Sequence, residues 1–395
     1  MKVRNDYNNC LTNVACSIRK YFDLPYAHKT MPEIDSVLER KNPENVIVFL
    51  LDGVGANILK RSLPDPDLFL RKHTVKTMTS VFPATTTACT TSMLTGLNPV
   101  EHGWLGWDMY INSIDTTATL FLGVEKLSGQ KISNYVEKTG ALVRKYLPVE
   151  IDEAGKYDGR IFASFLDPKY YEFDNLINSV KKECKKKPKN GKRYIYAYDP
   201  IPDSIMHDEG ADSAEVKKCL EERNAKLEAL CSELKNSVVI VLADHGHIVQ
   251  NNIFLKDYPE IEKMLERTPG IEQRAVSFKV KPGYKTVFEE KFNAALGKMF
   301  HLYPAEEIIK SKLFGDIGNN NSLGENPLFR FGIEDFMAIA EDTNAALVSD
   351  SNVLYSGHAG YTDDEIYIPQ YIDLLFVDNV GLAEVYDFDH MFHGD

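Results

Sequence analysis

Three aspartates and three histidines stand where hydrophobic segments of this chain run out. Asp52 follows NVIVFLL, Asp203 and His207 lie four apart in PDSIMH, Asp244 and His245 are adjacent in LADHGH, and His358 sits in SGHAGY. All six are oxygen or imidazole donors. A divalent cation takes three or four such ligands, so this set, with a bridging oxygen from a nucleophile or a phosphate, would fill two sites. Each residue alone has an ordinary use: an Asp after a strand caps a helix, and a lone His packs in a core. Chance rarely puts an acid, or an Asp-His pair, after several hydrophobic strands. His247, two residues past the pair, reads as lying behind the metals or facing solvent, and the terminal HMFHGD as a frayed tail.

The other chemical segment is Val81-Phe82-Pro83-Ala84-Thr85-Thr86-Thr87-Ala88-Cys89-Thr90-Thr91-Ser92-Met93-Leu94-Thr95-Gly96. Pro83, small hydroxylated residues and a closing glycine predict the first turns of a helix. A hydroxyl at a helix start faces free backbone N–H groups and the positive dipole end, a setting suited to a phosphoryl group. Threonine is a poor nucleophile at neutral pH, but a divalent metal makes its alkoxide accessible.

The positioning elements are legible from pattern. Asn45–Leu51, Arg193–Tyr198 and Ser237–Ala243 are continuous β-formers, as in central parallel strands covered on both faces, and acids follow each at Asp52, Asp199 and Asp244. Helical spacing marks Leu11, Val14, Ile18 and Phe22 within residues 1–40. Strands separated by helical stretches predict an α/β fold, with ligands beyond the carboxyl ends of a wound sheet. Residues about 250–345, with a strand at Ala275–Val280 and a helix at Thr286–Leu296, read as an inserted α+β subdomain beside the site. The lysine run after Asn175 reads as a solvated helix end.

The 395 residues carry a net charge of −13, which disfavours nucleic-acid binding. No apolar run reaches membrane-spanning length and the first residues lack a secretory signal, so a cytoplasmic protein without membrane partners is expected. Six scattered cysteines without a CxxC pair read as reduced thiols.

Taken in order, the segments resemble the alkaline phosphatase superfamily, most closely its nucleotide pyrophosphatase/phosphodiesterase branch. That branch has Phe-Pro-x-x-Thr and then Thr-Gly-Leu-x-Pro-x-x-His-Gly; here stand Phe82-Pro83-Ala84-Thr85-Thr86 and Thr95-Gly96-Leu97-Asn98-Pro99-Val100-Glu101-His102-Gly103. The resemblance implies a three-layer sandwich around a central, mostly parallel sheet over 1–395, with Thr86 as nucleophile. It implies one metal on Asp203, His207 and His358, and another on Asp52, Thr86, Asp244 and His245. Zinc is the expected metal and manganese suits the same donors. The implied reaction is phosphodiester or phosphoanhydride hydrolysis through a phospho-threonine, on a small-molecule phosphate ester such as a nucleotide. Where the eukaryotic-type enzymes hold phosphate with an Asn three residues after the nucleophile, this chain has Cys89. Cys89, Thr90, Trp104 and Trp107 are the candidate substrate contacts, with first-turn amides or the Thr90 hydroxyl in place of the Asn.

Other reactions on this scaffold fit less well. A sulfatase needs a modified Cys or Ser with Pro and Arg at fixed offsets, which the surroundings of Cys89 lack. The Phe-Pro-x-x-Thr start argues against the phosphomutases. A phosphonoacetate-hydrolase-like phosphonatase and a phosphomonoesterase remain as alternatives on the same site. A retired binding module would have lost a ligand or the threonine, and all seven positions are intact.

Overall fold

The computed structural model describes residues 3–133, 158–163, 168–319, 321, 324–349 and 352–373. The terminal HMFHGD lies outside them, as does part of the polar loop at 320. Six strands build the main sheet: β1 (Asn45–Leu51), β2 (Thr74–Thr79), β3 (Asp158–Ala163), β4 (Arg193–Asp199), β5 (Ser237–Leu242) and β6 (Tyr367–Asp373), in the order β2-β6-β5-β1-β4-β3. β1 runs parallel to β4 and β5, and β3 parallel to β4; β6 alone runs against the direction of the other five. Every residue of β1, β4 and β5 is buried, as a strand covered by helices on both faces requires. Leu51 pairs with Asp199 and Leu50 with Leu242, so the three carboxyl ends lie level.

Local chemistry sets the helices around this sheet. The N-terminal helical stretch is two helices, Leu11–Tyr21 and Pro32–Lys41, with Pro25 between them. Phe173–Cys184 ends in its lysines, where Lys181 pairs with Glu233. The threonine-rich helix α1 (Thr86–Thr95) starts three residues later than its Pro83 suggested. Thr85 is extended at the N-cap, and Gly96 closes the helix at φ +71°, the left-handed region where glycine avoids a Cβ clash.

A second, wholly antiparallel sheet follows the order His301–Pro304, Phe336–Ile339, Ala275–Phe278, Gly270–Ile271, Asp108–Ile111, Thr116–Thr119, Val124–Glu125. Residues 250–345 therefore share a sheet with residues 108–125. The strand and helix read from the sequence here are Ala275–Phe278 and Lys285–Leu296; Phe278, Phe288, Phe292 and Phe336 form their core.

One buried ion pair joins the two sheets' surroundings. Arg274, fully buried, grips Glu365 through Nε (2.7 Å) and Nη2 (2.8 Å) and donates its other bonds to the carbonyls of Ala345 and Thr343. Glu365 also accepts from the Gly360 and Thr362 amides. Four of the five guanidinium N–H groups are thus engaged inside the protein, which offsets much of the cost of burying both charges.

Removing one partner strands a buried charge. Glu365→Ala is expected to cost roughly 3–5 kcal/mol, read from the denaturant midpoint; an unmoved midpoint would mean Arg274 finds water. Burial raises the Glu365 carboxyl's pKa, but Arg274 outweighs it and leaves the value lowered. The pair's contribution is thus complete above about pH 4.3, the free carboxyl's value, and is lost as pH falls through the folded one.

Candidate metal centre

The loops beyond β1 and β5 and two helices converge on one point. Asp52 follows β1, Asp244 and His245 follow β5, and Thr86 opens α1. Asp203 and His207 lie one turn apart on the same face of α2 (Ile201–Glu209). His358 arrives on the loop after Ser356–Gly357, which pairs with Ile248–Val249. The Thr86 hydroxyl is 3.1 Å from His245 Nε2 and 3.3 Å from Asp52 Oδ1. His245 Nε2 is 3.2 Å from Asp52 and 3.6 Å from Asp244, while Asp203 is 3.3 Å from His207 and 3.9 Å from His358. The His245 and His358 rings stack at 3.9 Å and join the two groups. All seven sequence-predicted ligand positions thus meet.

Glycine makes the approach feasible. Gly53 sits at φ +74°, and a Cβ there would fall 2.9 Å from the His247 ring. A Cβ on Gly246 would lie 1.9 Å from the Asp364 carbonyl of α3 (Asp363–Ile366), and the Gly246 amide donates to Glu365 O at 2.9 Å. The Arg274–Glu365 pair therefore sets where His245 and His358 stand relative to each other.

Hydrogen-bond logic shows what the cluster lacks. His245 Nδ1 faces the carbonyl of Gly246 and His207 Nδ1 that of Ser356, so each must donate there. Their Nε2 lone pairs are left pointing at carboxylates. Asp244 takes the Gly53 and His245 amides on Oδ1, and its buried Oδ2 has no partner; neither has His358 Nδ1. Burial pushes Asp52 and Asp244 well above the carboxylate range, helped by the charge of Asp203 at Asp52 and by that of Asp52 at Asp244. Burial lowers His207, yet Asp203 beside it outweighs that and lifts it to about 9, so without a metal a proton takes the position between its Nε2 and Asp203. Acceptors facing acceptors in the interior need cations between them, and this donor set fits divalent ones. Ligand atoms of Asp52, Asp244 and His245 lie within 4.8 Å of one another, as do those of Asp203, His245, His247 and His358.

Not every expectation survives the geometry. Asp199 lies within β4 rather than beyond it, held by Arg223 at 2.9 Å, and the carboxylate that follows the strand is Asp203, on α2. His247 is not solvent-facing; it is fully buried against Asp203. Cys89 is packed in the main core against Ser80, and Thr90 donates its hydroxyl to Thr86 O, four residues back. Trp104 packs against the second sheet's core. Of the four expected substrate contacts, Trp107 alone lines the cleft, 39% exposed and stacked on Phe121 at 5.5 Å.

That cleft, about 260 Å³, has Thr86, Asp203, His207 and His358 at its floor and Trp107, Asp108, Lys126, Gln250 and Glu272 in its walls. Sequence reading missed Tyr198, which donates to Asp52 Oδ2 from the end of β4. It also missed Glu272, which accepts from the Thr85 hydroxyl (2.6 Å) and the Trp107 amide (2.8 Å) on one oxygen, its pKa raised by burial to about 7. A tyrosine closing the strand beside β1 was a usable signal; nothing marked Glu272.

The model of the type I phosphodiesterase/nucleotide pyrophosphatase family matches residues 46–362. No curated protein matches the chain by sequence. Among solved structures, the murine ectonucleotide pyrophosphatase/phosphodiesterase 5 superposes with a TM-score of 0.60 at 18% identity, covering 82% of this chain and 87% of its own. The human one gives 0.59 at 16%, covering 83% and 87%. A further murine structure, an inactive threonine-to-alanine variant in complex with AMP, matches as the first does. These likenesses show a shared fold. Among the described residues no helix is long and apolar enough to cross a membrane.

Asp244→Asn removes one of two facing acids. Without metal, this variant is expected to melt higher than the metal-free wild type; with zinc added, it should lose most of the wild type's rise in Tm. An equal rise in both proteins would remove Asp244 from the centre.

Proposed function

The chain belongs to the type I phosphodiesterase/nucleotide pyrophosphatase family of metal-dependent hydrolases, and from there we propose that it cleaves a small-molecule phosphodiester or phosphoanhydride, a nucleotide among them, through a phospho-threonine on Thr86. The carrying observation is the Thr86 hydroxyl, at the start of α1, between Asp52 and His245 and open to the cleft.

Asp203, His207 and His358 would hold one cation, and Asp52, Thr86, Asp244 and His245 the other, zinc being favoured by the imidazoles. When bound, such a pair supplies Lewis acidity that makes a hydroxyl ionise near neutral pH and neutralises phosphoryl oxygens. The protein supplies placement. Thr86 Oγ1 attacks phosphorus in line as the bond to the leaving oxygen breaks, and water then releases the phosphoryl group from Thr86. Thr85, the N-cap, gives its hydroxyl to Glu272 and makes no side-chain cap, so first-turn amides of α1 stay available to a phosphoryl oxygen. With the Thr90 hydroxyl already committed, those amides take the place of the family's Asn. The exposed face of Trp107 offers a platform for a base, and the segment 250–345 supplies the wall that adjoins it. The murine structural neighbour with AMP supports a nucleotide as the ligand class.

Thr86→Ala should retain its metal ions by elemental analysis and lose roughly 10³-fold or more in turnover of bis(p-nitrophenyl) phosphate. Acid-quenched wild type should carry phosphate on the peptide that holds Thr86. Undiminished turnover by the variant would dismiss Thr86, and a preference for p-nitrophenyl phosphate would point to a monoesterase. A wild type that loads metal but turns over neither ester would leave the phosphonate reaction.

A further inference from the structure

His247 is engaged through both ring nitrogens. Its Nδ1 lies 3.2 Å from the Ser356 hydroxyl, whose oxygen donates its single proton to Ile248 O at 2.8 Å. Ser356 Oγ can therefore only accept, and the His247 proton sits on Nδ1. Nε2 is left with a bare lone pair 2.5 Å from Asp203 Oδ1, another acceptor. Two lone pairs that close in a dry interior need a cation between them. Ser356 anchors His207 in the same way, its carbonyl taking the Nδ1 proton at 2.8 Å. One residue thus aims two imidazoles at Asp203.

The rings agree. Centroids of His207, His247 and His358 are 4.7, 5.1 and 5.3 Å apart, with mutual tilts of 72°, 70° and 51°. Three imidazoles bound at about 2.0–2.1 Å around one tetrahedral ion would have centroids about 5 Å apart. His245 instead stacks on His358 at 26°, an arrangement in which two rings do not direct lone pairs at one ion, so it belongs with Asp52 and Asp244.

We propose that His247 is a fourth protein ligand of the Asp203 cation, oriented by the Ser356 hydroxyl, which makes this site three imidazoles and one carboxylate. The inference rests on the two-cation reading above. A nitrogen-rich site of this kind favours zinc or cobalt over manganese and magnesium.

Cobalt-loaded full-length protein tests it without turnover. Each bound imidazole that keeps a ring N–H gives one exchangeable, hyperfine-shifted proton resonance. Wild type should show one each for His207, His245, His247 and His358, and His247→Gln should lose one while one of the two ions binds roughly 10-fold or more weakly. Ser356→Ala keeps the carbonyl that orients His207 but loses the hydroxyl; it should shift the His247 resonance alone and weaken one ion by about 10–100-fold. It also carries the test should His247→Gln not fold. A wild type without the fourth resonance, or a Ser356→Ala protein with unchanged spectrum and affinity, would overturn the proposal and leave the two-cation reading standing. Failure to take up cobalt at all would overturn both.

Discussion

Asp52, Asp203 and Asp244 are brought together where the sheet's strands end, and this crowding of like charge is the constraint around which the molecule is arranged. Their neighbours offer little relief. Three imidazoles commit a proton each to Gly246 O, Ser356 O and Ser356 Oγ, which turns their Nε2 atoms toward the carboxylates. Tyr198 and two amides satisfy part of the oxygen valence and leave Asp244 Oδ2 bare. In a low-dielectric interior this arrangement costs folding free energy that a bound cation would offset, which would couple metal uptake to stability.

Rigidity at that point comes from its surroundings. The buried strands fix the heights of Asp52 and Asp244, α2 fixes the Asp203–His207 spacing, and the Arg274–Glu365 pair ties the His358 loop to the second sheet. Close packing at Gly53 and Gly246 then leaves no space through which one loop could slip past another.

Much of this was legible in the sequence, because strand ends and ligand types are local features. NVIVFLL-Asp and VVIVLA-Asp-His each declare a covered strand and the oxygen or imidazole donor at its end. Asp199 and Asp203 show the limit: one closes the strand and the other follows it, and Arg223, 24 residues beyond Asp199, holds the first in a structural pair. Cys89, Thr90 and Trp104 misled because a helix start has a face toward the core as well as one toward the cleft, and sequence offset does not say which. Glu272 and Ser356 were illegible for a different reason. Their partners lie more than a hundred positions away, and neither belongs to a periodic pattern.

Glu272 joins two parts of the cleft that would otherwise be independent. A single carboxylate oxygen restrains both the residue before Thr86 and the backbone amide of Trp107. Remodelling the aromatic wall to admit a differently shaped molecule would therefore tug on Thr86 through this shared tether. In such a protein, a drift in selectivity and a loss of rate would arrive together, and compensation would have to begin at the tether.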